Sequence, residues 1–250
     1  MRTESPAGGA VAAPPIVEER SAVVAITPRL LLSVIVPAIL VLNVFNAIAL
    51  VLYHQRHHHG GRFFQTWSLD REANVPTWFS SALLFTAAGV VALVALDALA
   101  RKARWGRHWA GLSLVYVVLS LDETAEIHER IGSWLRGHLN LHGPLHYAGV
   151  IPMLALALFV GITYLQFLVA LPASTLLGIL VSAAIYVSGA AGVEAISGWW
   201  AEGHGSKSTG LLVLSTFEEN LEMIGTTLFI LVVLAYLARF GRAVSLRAER

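Results

Sequence analysis

The chain has 250 residues, of which 56% are hydrophobic and 13% charged, and its mean hydropathy is +0.67. An ordinary soluble domain carries roughly 25% charged residues, so this composition excludes a soluble globular protein and reads as an integral membrane protein. The net charge of +1 gives no reason to expect nucleic acid as a partner, and with no cysteine there is neither a disulfide framework nor a thiolate metal site.

In chain order, residues 1–28 are rich in Ala, Pro and Gly, with charges interrupting every apolar stretch, and are expected to form a flexible tail. Apolar runs of at least ~18 residues then follow, each long enough to cross about 30 Å of hydrocarbon. Six are present, at about 29–53, 76–100, 109–136, 146–169, 174–198 and 210–238, with a basic tail at 241–250. They predict an all-α, polytopic transmembrane helix bundle of six spans filling residues 29–240. The first run is too long for a signal-peptide core and has no small-residue cleavage site after it, so it is expected to remain as an anchor.

Short loops bearing Lys and Arg stay in the cytoplasm. With the N-terminus inside, the inner segments hold eleven such residues (Arg2, Arg20, Arg29, Arg101, Lys102, Arg104, Arg107, Arg239, Arg242, Arg247 and Arg250). The outer segments hold five: Arg56, Arg62, Arg71, Arg136 and Lys207. The expected location is the plasma membrane, multi-pass, with both termini cytoplasmic.

Several features have structural readings. Asn43 and Asn46 in the first span suit interhelical hydrogen bonds. His54, His57, His58 and His59 form a loop tract that is either solvated or metal-buffering. Asp70, Arg71 and Glu72 lead into Asn74 and Pro76, which read as the cap and first turn of the second span. Asp97 with Arg101, and Glu126 with Arg130, stand four apart with the acid first, the favourable order for a pair along a helix. His138, His142 and His146 would share one helix face, but Gly143 and Pro144 break the helix between them.

Of the sixteen acids, eight fall inside the third, fifth and sixth predicted spans: Asp122, Glu123, Glu126, Glu129, Glu194, Glu218, Glu219 and Glu222. Only Arg130 and His128 oppose them there. An ionised carboxylate near the bilayer centre costs about 2.5 to 3.5 kcal/mol, so eight unpaired ones would be prohibitive. On a straight helix Asp122, Glu126 and Glu129 fall within about 60° of one another, and His128 points away from them. Ser215, Glu218, Glu219, Glu222 and Thr226 cover about 100° of the sixth span. In "SGAAGVEAISG", Ser188, Gly189, Ala191 and Gly192 lack bulk and invite the close approach of another helix. The expectation is that all eight acids converge on one outward-facing pocket. A register match at 96 residues, Asp122 to Glu218, Glu123 to Glu219 and Glu126 to Glu222, hints at an inverted repeat, with coincidence the favoured reading.

Such acids hold protons, bind a cation or pair with fixed bases, and fixed bases account for one or two of them. Asp122, Glu123, Glu126, His128, Glu129, Glu194, Glu218, Glu219 and Glu222 are therefore candidate ligands for a divalent metal ion, the expected cofactor if one is bound. The stretches "WSLDREANVPTWFSS", "SLDETAEIHE" and "EENLEM" resemble a family of uncharacterised bacterial multipass membrane proteins. The resemblance runs over most of the six spans and implies a fold, with no established activity and no catalytic residue.

Soluble-enzyme motifs such as G-x-S-x-G, H-E-x-x-H and the phosphate-binding P-loop are absent. The leading expectation is a small transporter or ion-coupled membrane protein. The alternative is a metal-dependent membrane enzyme, a lipid hydrolase or di-iron oxidase. Asp122, Glu126, Glu129, Glu218 and Glu222 would then be ligands and Glu123 or Glu219 the base, although His128 is the one intramembrane histidine in that set. The third is a structural or assembly subunit. Expected partners are the lipid bilayer, a metal ion or protons, and a second copy or another membrane protein.

Overall fold

Thr27 accepts a hydrogen bond from the backbone N–H of Leu30 at 3.2 Å, and Asn74 accepts one from Thr77 at 3.1 Å, each with a proline in the first helical turn. A capped N–H followed by a preset φ is a strong helix start. These residues open α1 (Pro28–Gln55) and α3 (Val75–Ala100) of the computed structural model, which describes residues 27–56, 60–205 and 208–239. Most of the predicted N-terminal tail, the basic C-terminal tail, His57, His58, His59 and Lys207 lie outside the described residues.

The remaining helices are α2 (Arg62–Trp67), α4 (Gly106–Ala125), α5 (Ile127–Leu139), α6 (Val150–Val169), α7 (Ala173–Val187), α8 (Glu194–His204) and α9 (Thr209–Arg239). A 3-10 turn spans Gly143–Leu145, and a π-helical turn, Ser188–Val193, joins α7 to α8. Among the described residues there is no strand, so the fold is all-helical. Five segments are long and apolar enough to cross a membrane: α1, α3, α6, α9 and the continuous Ala173–His204 segment. Large apolar side chains such as Val34, Leu40, Leu158, Phe159 and Ile162 are exposed on α1 and α6, as lipid-facing surfaces require.

The third predicted span is not one helix. Glu126 adopts a left-handed conformation, with φ +53°, ending α4 and beginning α5. A left-handed residue without the freedom of glycine is held there by its surroundings, because local sterics oppose it. α4 has 20 residues, a length of about 30 Å, but Arg107, His108, Asp122 and Glu123 dilute its apolar character.

α9 is the central helix, packed against α1, α3, α7, α8 and the π turn, while α3 and α4 form an antiparallel hairpin. Hydroxyls stitch that hairpin: Ser81 donates to the Ser120 carbonyl at 2.8 Å, and Ser120 to the Ser81 carbonyl at 2.9 Å. Asn43 on α1 and Asn220 on α9 exchange amide hydrogen bonds of 2.8 and 2.9 Å, and Asn46 donates to Thr216 at 2.9 Å. Inside hydrocarbon such polar pairs are what holds helices in register, since lipid removes the hydrophobic drive between them. Gly225 lets α9 meet α7 backbone to backbone: a Cβ there would stand 2.8 Å from the Tyr186 nitrogen and 2.9 Å from the Ser182 oxygen.

An acidic cavity as the candidate functional site

The connection between α2 and α3 is folded by its own polar groups. Asn46 accepts a hydrogen bond from the Leu69 N–H at 3.0 Å, and Asn74 donates to the Ser68 carbonyl at 2.7 Å. Pinned at both ends, residues 68–74 place Asp70, Arg71 and Glu72 over the bundle end formed by the last turn of α4, the α4–α5 break and the first half of α9. There they line one cavity of about 490 Å³ with Asp122, Glu123, Glu126, His128, Glu129, Glu194, Glu218, Glu219 and Glu222. All nine sequence-predicted residues are in that lining, from α4, α5, α8, α9 and the break at Glu126.

The geometry corrects one expectation. His128 does not point away from Asp122: its backbone N–H donates to Asp122 Oδ1 at 2.8 Å, and its Nδ1 hydrogen-bonds Oδ2 at 2.7 Å. A straight helix would separate the two side chains, and the left-handed turn at Glu126 folds α5 back toward the end of α4. Around them, Ser215 donates to Asp70 at 3.0 Å, Thr77 to Glu72 at 3.4 Å and Ser80 to Glu219 at 3.5 Å. Tyr186, at the end of α7, lines the cavity with Glu222.

Close backbone approach makes this convergence possible. A Cβ on Gly149 would lie 2.6 Å from Glu194 Oε1 and 3.0 Å from the His128 ring, and one on Gly132 would lie 2.3 Å from the Gly149 nitrogen. A Cβ on Gly189, in the π turn, would lie 2.8 Å from the Glu218 carbonyl oxygen, as the small-residue stretch predicts, whereas one on Gly192 would meet nothing within 4 Å and Ser188 is exposed. π turns cluster at functional sites, and this one immediately precedes Glu194.

Ten carboxylates thus face the cavity: the eight predicted acids with Asp70 and Glu72. The basic side chains in the lining are Arg71, Arg136, His128 and His146. Arg71 stands 3.7 Å from Asp70 and is 45% exposed, so its attraction is diluted by solvent. Arg130 is 4.0 Å from Glu126 and lies outside the cavity lining, so it offsets little of the charge within. In the α2–α3 connection, burial raises the Asp70 carboxyl, and burial followed by the nearby Glu129 charge pushes Glu72 up to about 7. Among the described residues no three His, Asp or Glu side chains converge as a metal-ligand set. Of the loop histidines, His146 lines the cavity, while His142 pairs with Glu202 at 3.0 Å and His138 bonds the Trp134 carbonyl at 2.8 Å.

Sequence reasoning missed Asp70, Glu72, Tyr186, Ser197, Arg71 and Arg136. The signal for the first two was three charges crowded before a helix cap that needs only Asn74. A family described as a domain of unknown function (DUF8692) matches residues 32–237. The chain belongs to this family. Its match takes in every one of the ten cavity carboxylates. No curated protein and no solved structure matches the chain.

Proposed function

We propose that this is a six-span membrane protein, both termini cytoplasmic, whose cavity opens outward and binds positive charge as a small ion-coupled transporter. The observation that carries this reading is the ratio in the cavity lining: ten carboxylates against two arginines and two histidines. α4 supplies the sixth crossing, since it is hairpinned to α3 and about 30 Å long. Arg101, Lys102 and Arg104 in the connection and Arg107 in the first turn of α4 lie at the end remote from the cavity, where Arg239 also lies, and the positive-inside rule assigns that end to the cytoplasm.

Acids this crowded share protons and titrate as a group, so cation binding displaces protons and the two movements couple. Protons and a divalent metal ion are the cations this reading covers. Purified protein in sealed vesicles should show pH-dependent cation flux, and changing Glu218, Glu219 and Glu222 together to Gln should abolish it. No flux, no proton release on adding cations and no metal by elemental analysis would refute it.

A second reading, a metal-dependent membrane enzyme, is favoured by the paired bonds through which Asp122 fixes His128. A carboxylate that locks one imidazole nitrogen presents the other as base or ligand. A redox-active absorption band or an altered lipid in cells lacking the protein would put this reading first.

A further inference from the structure

Ser197 is 2% exposed and lines the acidic cavity, and its Oγ has no hydrogen-bond partner. A serine inside a helix ordinarily donates to the carbonyl one turn back; this one does not. A buried hydroxyl without a partner is costly, and a ligand that supplies the partner recovers the loss. Glu194 stands three residues earlier on the same face of α8, is 9% exposed, and occupies the space that Gly149 leaves open.

The cavity's size adds a second constraint. About 490 Å³ lies within the range of small-molecule pockets, roughly 300–1,000 Å³, and far exceeds the room of one bare ion. Its acids are spread over several elements, and no three of the described His, Asp and Glu side chains gather around a point as a compact metal requires. Beside the acids the lining holds apolar side chains, Leu69, Ala148, Met153 and Leu211. Acids spread over several elements, with apolar side chains beside them, fit a molecule that alternates positive nitrogens with methylenes.

We propose that the cargo is a linear aliphatic polyamine, one terminal ammonium seated between Glu194 and Ser197. This rests on the cation-binding reading of the cavity and adds an organic cation to the protons and metal ion which that reading covers. An ammonium has three donors and no acceptor, so it takes the Glu194 carboxylate and the Ser197 lone pair together. Its methylenes meet the apolar side chains of the lining, such as Met153 and Leu211, and the next nitrogen pairs with the α9 carboxylates.

Isothermal titration of the full-length protein in detergent with spermidine, and separately with MgCl2 and CaCl2, tests the assignment. Spermidine should bind, and Ser197→Ala should weaken it about tenfold, the scale of one hydrogen bond to a charged group. The same variant should leave proton uptake on acid titration unchanged and its melting temperature unchanged or raised, because the lost hydroxyl bonds nothing in the protein. Ser182→Ala is the control: that hydroxyl bonds the Ile179 carbonyl at 2.9 Å outside the cavity lining, and its loss should leave spermidine affinity intact. Metal or proton binding without spermidine binding overturns the polyamine assignment and leaves the cation cavity standing. Wild-type spermidine affinity in Ser197→Ala also overturns it. If spermidine, Mg2+, Ca2+ and protons all fail to bind, the cavity reading falls and takes this assignment with it.

Discussion

Asp122 and His128 are joined twice across the left-handed residue Glu126, through the His128 N–H at 2.8 Å and its Nδ1 at 2.7 Å. One carboxylate thereby caps the first turn of α5 and fixes an imidazole in the cavity wall. Asp122→Ala removes both acceptors and should lower stability by about 1–3 kcal/mol. Asp122→Asn keeps an acceptor for the N–H and should lose less. Thermal melts in detergent rank the two, and equal losses would show that the backbone bond contributes nothing.

Glu126 itself offers the opposite change. At φ +53° it pays a steric cost that glycine does not. Glu126→Gly should hold stability or raise it by up to about 1 kcal/mol, read as an unchanged or higher melting temperature, while removing one cavity acid and a 4.0 Å ion pair that is largely solvent-screened. A marked fall in melting temperature would mean that the Glu126 side chain, and not the turn, sets the break.

The Glu72 carboxyl, pushed up to about 7 by burial and by Glu129, makes stability depend on pH. Its folded-state value lies above the ordinary 4.5, so the folded protein holds this proton more tightly than the unfolded chain does. The resulting stabilisation is complete below about pH 4.5 and is lost as pH rises toward 7. The size is at most about 3 kcal/mol. Glu72→Gln should flatten the fall in melting temperature across that window relative to wild type. Parallel curves for the two proteins would remove Glu72 as a contributor.

Length and apolarity made five spans legible, because crossing a bilayer constrains both and the constraint is written residue by residue. Asn43 and Asn46 were legible as interhelical donors for the same reason: polar groups at that depth have to find partners. The break at Glu126 was not, since it contains neither Gly nor Pro and goes with a tertiary contact, the close approach of Gly132 on α5 to Gly149 at the start of α6. A straight-helix projection therefore misplaced His128 while still collecting the right acids. Asp70 and Glu72 were hidden because loop acids next to a cap look local, and it is bonds to Asn46, Asn74, Ser215 and Thr77 that hold the loop and its acids at the cavity. The apparent repeat also dissolves in the backbone: Glu126 ends a helix, whereas its counterpart Glu222 lies well inside α9.

Two glycines separate packing from propensity. Gly225→Ala would place a Cβ within 2.9 Å of two α7 backbone atoms, and backbone at a helix crossing yields little. The cost should be about 1–3 kcal/mol, with the α7–α9 contact opened and Tyr186 drawn away from Glu222. Gly192→Ala, with nothing within 4 Å, meets no such barrier and gains helix propensity of up to about 1 kcal/mol. Melting temperatures of the two variants should therefore move in opposite directions. If Gly192→Ala destabilises instead, the π turn requires the backbone freedom of glycine at that position, and the placement of Glu194 depends on a flexible hinge and not on close packing alone.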